Sequence, residues 1–138
     1  MSKIKIIFYL IIISLFLSQK ANTEIRDSLL ATVGNAAITK SDIYDEIKII
    51  LILNNLRFTN EQKDKLQKMA IKSTIKRTIK KNELERRNIT EYSKVDFNHE
   101  LQKIVNRLNL DVEKLKDICE SNKLNFKLIE NQIKIELM

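Results

Sequence analysis

ATVGNAAITKSDI, residues 31–43, is the stretch that decides the fold of this 138-residue chain. Two short apolar runs flank the dipeptide Gly34-Asn35, and Gly34 is the one glycine in a sequence without proline. Gly and Asn tolerate the positive φ angles that a two-residue hairpin loop requires. Thr39 and Asp42 follow at the spacing of a capping box, in which a hydroxyl and a carboxylate satisfy free backbone amides at a helix start. The stretch therefore predicts a small β-hairpin that leads directly into a helix.

Beyond the hairpin the apolar periodicity is helical, and it predicts a mainly α fold of about five helices. We expect helices over residues 41–56, over a long segment that ends near 87, and over 95–108. Asp111 and Asn125 are suited to cap a fourth and a fifth helix, and Thr59 with Gln62 offers a second capping box before the long helix. The predicted core residues of the long helix are Leu66, Met69, Ala70, Ile75 and Ile79, and those of the later helices include Leu101, Ile104, Val105, Leu108, Leu115, Ile118, Cys119 and Leu137.

The first predicted helix contains an apolar run, residues 49–53, that is not confined to one face. A helix that is apolar on every side is either fully buried or presents a surface to a partner. The apolar face of the last helix is a second surface of this kind. As a candidate surface for a client or for assembly the sequence offers Ile49, Ile50, Leu51, Ile52, Leu53, Phe126, Ile129 and Ile133, with burial in the core as the alternative.

The first residues predict an export signal. Residues 6–17 form an apolar run behind Lys3 and Lys5, and twelve residues suit a signal peptide better than a membrane span, which needs about 20. Ala21 is the expected cleavage position, with Ser18 as a competing end and an uncleaved membrane anchor as the alternative. The predicted domains are a signal peptide, residues 1–21, and one exported domain, residues 22–138.

The residue inventory does not favour catalysis. His99 and Cys119 are the only histidine and cysteine, which is too few for a zinc site of about four such ligands. We expect His99 to be solvated and Cys119 to be a small buried side chain. Asp42, Asp45 and Glu46 are expected at a helix N-terminus, where carboxylates interact favourably with the helix dipole. The sequence thus predicts no catalytic residue, no metal ligand and no cofactor.

Residues 57–90 form a strongly basic segment, with eleven Lys and Arg against four Asp and Glu. Lys68, Lys72, Lys76 and Lys80 define a basic face on the long helix. A solvated face is the simplest interpretation, and a small basic helical protein that binds a membrane surface or another polyanion is the alternative function. Nucleic acid is disfavoured as a partner because the segment lacks interleaved aromatic residues for base stacking and because export would separate the two.

ATVGNAAITKSDI resembles the opening of the N-terminal domain in the SurA-type family of periplasmic chaperones and parvulin-like prolyl isomerases. KNELERRNIT, residues 81–90, is similar to the end of that family's long helix, and residues 108–138 are similar to its helices that lead into the isomerase domain. Two departures stand out. The loop is Gly-Asn where Asn-Gly is common, and the sequence ends at Met138 where relatives continue into a parvulin domain.

This resemblance implies an ATP-independent holdase that binds unfolded outer-membrane or secreted polypeptides, with no isomerase active site of its own. In the family a C-terminal segment returns to complete the N-terminal module. Without that segment, an apolar surface beside the hairpin and the first helix is expected to be open. A client, a second copy of the chain or a separate parvulin-domain partner would cover it, and an anionic membrane remains a further possible partner.

Overall fold

The structure is a computed structural model and describes residues 28–138. These residues are mainly helical and form a two-stranded antiparallel hairpin followed by five α-helices, which confirms the predicted mainly α fold with a short hairpin before the helices. The elements are β1 (Leu29–Val33), β2 (Ala36–Thr39), α1 (Lys40–Leu53), α2 (Lys63–Arg86), α3 (Lys94–Arg107), α4 (Val112–Ser121) and α5 (Lys127–Leu137), with a 3-10 turn at Asn60–Gln62 before α2.

The predicted signal peptide, its apolar run at residues 6–17 and its cleavage position at Ala21 lie outside the described residues. Within residues 28–138 no helix has the length and apolar character needed to cross a membrane.

The hairpin loop explains why glycine precedes asparagine here. Val33 pairs with Ala36, so the loop consists of Gly34 and Asn35 alone. Gly34 has a φ of +59°, whereas Asn35 is not among the described residues with positive φ. A positive φ at the first loop position only is typical of a type II′ turn, which favours glycine at that position. The order Asn-Gly, which is common in the SurA-type family, suits a type I′ turn instead. The order Gly-Asn in this chain therefore corresponds to a different turn type.

The predicted capping box at the start of α1 is confirmed. The backbone amide of Thr39 donates to Asp42 Oδ2 over 2.8 Å, and the amide of Asp42 donates to Thr39 Oγ1 over 3.3 Å. The Lys40 amide donates to the Ser28 carbonyl over 3.0 Å, which closes the base of the hairpin. The hairpin and α1 are therefore joined without a flexible connection.

The other predicted caps have mixed outcomes. Asp111 accepts from the Lys114 amide over 2.8 Å, and this hydrogen bond holds the pKa of the Asp111 carboxyl below its usual range. Asn125 Oδ1 accepts from the Lys127 amide over 3.0 Å. The predicted box at Thr59 is wrong, because a 3-10 turn follows Thr59 and its side chain makes no capping hydrogen bond.

Four helices end in the same way, with a left-handed residue followed by an apolar one. The left-handed residues are Asn55, Asn88, Asn109 and Lys123, with φ between 49° and 55°. In each case the amide of the next residue donates over 2.9 Å to the carbonyl five residues earlier, as in a Schellman motif. This pattern ends α1 at Leu53, three residues before the predicted end. The chain thus uses asparagine where glycine is usual.

Two cores lie on either side of α1. The smaller one packs Ile43 of α1 against Ile38 of the hairpin and Ala70 of α2. The larger one joins α1 to α3, α4 and α5, and its buried members are Ile49, Leu101, Val105, Leu115, Cys119, Leu124, Ile129 and Ile133. Because α1 supplies side chains to both cores, its orientation determines how the hairpin and the C-terminal helices are placed.

Two predicted core residues of α2 are exposed. Met69 and Ile79 retain 45% and 55% of their accessible surface, so their assignment to the core is wrong. Leu66 and Ala70 are buried as predicted, and Leu84, which was not predicted, is buried as well. α2 packs along one side only, and the apolar residues on its other side have no element to pack against among residues 28–138.

An exposed ion-pair cluster near the end of α2 has a measurable consequence. Arg86 and Arg87 both donate to the Glu83 carboxylate, and these hydrogen bonds lower the pKa of Glu83 from 4.5 to about 2. Since the folded pKa of Glu83 is lower than its ordinary value, any stability from this cluster is present above pH 4.5 and is lost as the pH falls through about 2.

In a carboxyl-detected NMR titration we expect a Glu83 midpoint near 2 that moves toward 4.5 when both arginines are replaced by Gln. An unchanged midpoint in that double variant would contradict this assignment.

Candidate functional site

An apolar groove lies where β1, α1 and the start of α2 meet. Its volume is about 700 Å³, and Leu30, Tyr44, Leu51 and Phe58 are among the side chains that line it. Leu30, Tyr44 and Phe58 remain 43%, 63% and 51% exposed. Large apolar side chains this open to solvent, grouped around one concave surface, are typical of an interaction site.

A second groove continues from the first. Its volume is about 440 Å³, and it shares Leu51 and Phe58 with the first groove while adding Ile52 and Leu56. We call the two together the α1 groove, defined by Leu30, Tyr44, Leu51, Ile52, Leu56 and Phe58. The shared side chains make it one surface along α1 and onto the loop that follows it.

The α1 groove contains part of the predicted surface and excludes the rest. Leu51 and Ile52 line it, as a surface role would require. Ile49, Ile129 and Ile133 are buried in the larger core, so they are removed from the candidate surface. Each residue of a helix turns by about 100° from the one before, so a five-residue apolar run must point some members into each core. The remaining predicted residues, Ile50, Leu53 and Phe126, are partly buried and pack against the cores.

Sequence reasoning missed four of the six groove residues, namely Leu30, Tyr44, Leu56 and Phe58. Leu30 lies beside Leu29 in β1, Tyr44 lies among the polar residues of the first helical turns, and Leu56 and Phe58 lie in the loop after α1. None of them was part of the apolar pattern from which the surface was predicted. The sequence signal that could have found Phe58 is its size, because a large apolar residue in a polar loop is seldom placed there without a contact.

A buried charged cluster ties α1, α2 and α5 together. Glu46 is 4% exposed and accepts two hydrogen bonds from Arg77, Nη1 to Oε2 over 2.7 Å and Nη2 to Oε1 over 2.9 Å. Gln132 Nε2 donates to Glu46 Oε2 over 2.8 Å. The prediction that Glu46 interacts with the helix dipole near the N-terminus is therefore wrong. Glu46 lies in the second turn of α1 with its side chain directed inward, and the bidentate contact with Arg77 compensates its charge.

This cluster borders a cleft of about 580 Å³ between α1, α2 and α5. Both carboxylate oxygens of Glu46 already accept hydrogen bonds from protein donors, so the group is arranged as a structural contact and not as a free acid or base. Thr74 also lines the cleft, and its buried Oγ1 has no hydrogen-bond partner there.

The other residues considered for chemistry are far from this cleft or unreactive. Cys119 is a free, buried thiol, and burial raises its pKa, which disfavours the reactive thiolate. His99 is solvated on α3, as predicted, with Glu100 as its nearest charged partner at 3.9 Å. Among residues 28–138 no group of three or more His, Cys, Asp and Glu is placed to hold a metal ion.

The predicted basic face of α2 is only partly free. Lys80 Nζ donates to the Glu136 carbonyl of α5 over 2.9 Å, so this lysine has a structural contact. Lys68, Lys72 and Lys76 are exposed and form no ion pair within the part of the chain that the structure describes. These three lysines are therefore available to an external anion.

Comparison with known proteins gives no assignment: no protein-family model, no curated protein and no solved structure matches this chain.

Proposed function

We propose that this chain is an ATP-independent holdase that binds apolar segments of unfolded polypeptides in the α1 groove. The observation that carries the proposal is the exposure of Leu30, Tyr44 and Phe58 around one open concavity. A folded domain rarely leaves such side chains grouped in solvent unless something binds them.

The chemistry of the groove suits clients of varied sequence. Leucine, isoleucine and aromatic side chains can repack around different apolar segments, which favours weak binding with low sequence specificity. Burial of an exposed Leu or Phe side chain contributes about 1.5–3 kcal/mol, so a few such contacts compete with aggregation without ATP. Lys48 forms a salt bridge with Asp45 at the groove, whereas Lys40 and Lys63 at its edge form no ion pair with any residue from 28 to 138. Acidic residues beside the apolar client segment would therefore strengthen binding.

The resemblance to the SurA-type family supports the same proposal. The supporting features are the order of hairpin, capped helix and long helix, and the location of the groove beside the hairpin and first helix. On this basis we also propose a periplasmic location and outer-membrane or secreted polypeptides as clients. We expect no prolyl isomerase activity, which a proline-peptide assay with the purified protein tests directly.

The groove is tested by removing two exposed apolar side chains. Replacing Leu30 and Phe58 by Ser is expected to weaken suppression of aggregation of an unfolded outer-membrane protein by about tenfold or more, because two burial contacts are lost. Light scattering during dilution of the client from urea gives the concentration of chaperone needed for half suppression. Both residues are exposed, so the fold should be unaffected.

A matched control replaces Ile89 and Val95, which are exposed elsewhere, by Ser. The control should suppress aggregation as the original chain does. Equal suppression by both double variants, or none by the original chain, would exclude the groove as a client site. Sedimentation at low micromolar concentration examines the alternative occupant: a dimer that the Leu30 and Phe58 substitutions dissociate would assign the groove to a second copy of the chain.

A further inference from the structure

The outer face of α2 carries a stripe of lysines that form no ion pair with an acidic residue among residues 28–138. Residues 65–82 contain seven Lys and Arg and no Asp or Glu. Successive residues of a helix are rotated by about 100° around its axis. Six exposed residues of α2 therefore lie within a sector about 100° wide and extend for about 20 Å along the helix. We call them the α2 stripe, which consists of Lys65, Lys68, Met69, Lys72, Lys76 and Ile79.

The α2 stripe points away from the rest of the molecule. The buried residues of α2, Leu66, Ala70 and Leu84, lie on the other side of the helix. Lys63 and Gln67, through which α2 borders the α1 groove, also lie away from the stripe on the helical wheel. The stripe is therefore a second surface, separate from the proposed client site, and a ligand there need not interfere with a client in the groove.

Two apolar side chains distinguish this surface from a merely solvated basic face. Met69 and Ile79 are half exposed and lie between the lysines. A bilayer interface accommodates this combination, because lysine ammonium groups interact with anionic headgroups while short apolar side chains enter the acyl boundary. A nucleic acid would engage the lysines but would offer no apolar environment for Ile79, and the stripe has no aromatic side chain on which bases could stack.

We propose that the α2 stripe binds the surface of an anionic phospholipid membrane. The helix lies parallel to the bilayer, with the lysines over the headgroups and with Met69 and Ile79 at the interface. The opposite side of the molecule, with the α1 groove, then faces the solvent. This inference stands on the charge and exposure of α2 and does not rest on the holdase proposal.

The test compares binding of the full chain to two kinds of vesicle. One contains phosphatidylcholine alone, and the other contains phosphatidylcholine with 30% phosphatidylglycerol. The ratio of the two partition coefficients, measured by co-flotation, isolates the contribution of charge, because the apolar N-terminal segment is present in both measurements. Replacing Lys68, Lys72 and Lys76 by Gln should lower this ratio by about 100-fold, since each lysine near an anionic surface contributes about fivefold.

The matched control removes the same charge elsewhere, by replacing Lys94, Lys123 and Lys127 with Gln; these three lysines are exposed and form no ion pair within the described part of the chain. Its ratio should fall by less than about tenfold. A second variant replaces Met69 and Ile79 by Gln and should lower binding to the anionic vesicles by about tenfold at unchanged net charge.

Three results would overturn the proposal. The first is an equal loss in the two triple-lysine variants, and the second is no loss in the Met69 and Ile79 variant. The third is tighter binding to duplex DNA than to the anionic vesicles at equal phosphate concentration, which would assign the stripe to nucleic acid. None of these results bears on aggregation suppression through the groove, so the two proposals fail separately.

Discussion

Replacing Arg77 with Met is expected to lower the free energy of unfolding by about 3–5 kcal/mol. The physical reason is the charge left behind. Glu46 is almost completely buried, and Arg77 supplies two of the three hydrogen bonds to its carboxylate. Without Arg77 the buried carboxylate loses its opposite charge and keeps only the hydrogen bond from Gln132. Urea denaturation followed by circular dichroism measures the loss, which is a large part of the roughly 5–15 kcal/mol of a typical domain.

Two further variants isolate this cause. Arg86→Met removes an arginine from a solvent-accessible ion pair, so it should cost far less stability than Arg77→Met. Replacing both Glu46 and Arg77 by Met removes the buried charge together with its partner and should recover most of the stability lost by Arg77→Met alone. The explanation is wrong if Arg77→Met costs no more than Arg86→Met, or if the double variant is the least stable of the three.

The second large effect concerns the larger core. Leu115→Ala should lower the free energy of unfolding by about 2–5 kcal/mol, because it removes buried apolar surface and leaves a cavity. Leu115 is fully buried in α4 and packs with the core residues of α1, α3 and α5. The same denaturation experiment measures the change.

Leu29→Ala provides the matched control, since it deletes the same atoms at a position in β1 that is mostly exposed. Its effect should stay within about 0.5 kcal/mol. Comparable losses in the two variants would mean that α4 is not packed as the structure describes. A large loss for Leu115→Ala alone would confirm that the C-terminal helices and α1 share one core.

Local features of the fold were predictable because short-range chemistry decides them. The Thr39–Asp42 box forms within four residues, and a glycine is needed wherever a two-residue loop requires positive φ at its first position. Asp111 and Asn125 cap their helices for the same local reason. The type and order of the elements follow from such signals together with apolar periodicity.

One local signal was present in the sequence but not used. Asn55, Asn88 and Asn109 each end a helix in the left-handed conformation. The pattern is an asparagine followed directly by an aliphatic residue after a helical stretch. In a chain with one glycine, asparagine is the next residue type that adopts this conformation at low cost.

What each apolar or charged residue faces was decided by the tertiary structure. Met69 and Ile79 fit an apolar periodicity as well as Leu66 does, yet only Leu66 has a neighbouring element to pack against. Glu46 resembles any acidic residue near a helix start until Arg77, 31 residues later, and Gln132, 86 residues later, reach its carboxylate. The α1 groove likewise needs a strand, a helix and a loop to meet.

The sequence by itself thus determined the hairpin, the helices and most of their ends, because these depend on hydrogen bonds and φ angles within a few residues. It also determined that α2 is basic. Only the tertiary structure decided that α1 contributes side chains to two cores. It also decided which lysines have no ion pair within residues 28–138 and where an apolar groove remains open to solvent. A side chain is buried when an element distant in the sequence packs against it. Apolar periodicity identifies the apolar face of a helix but does not identify the element that covers that face.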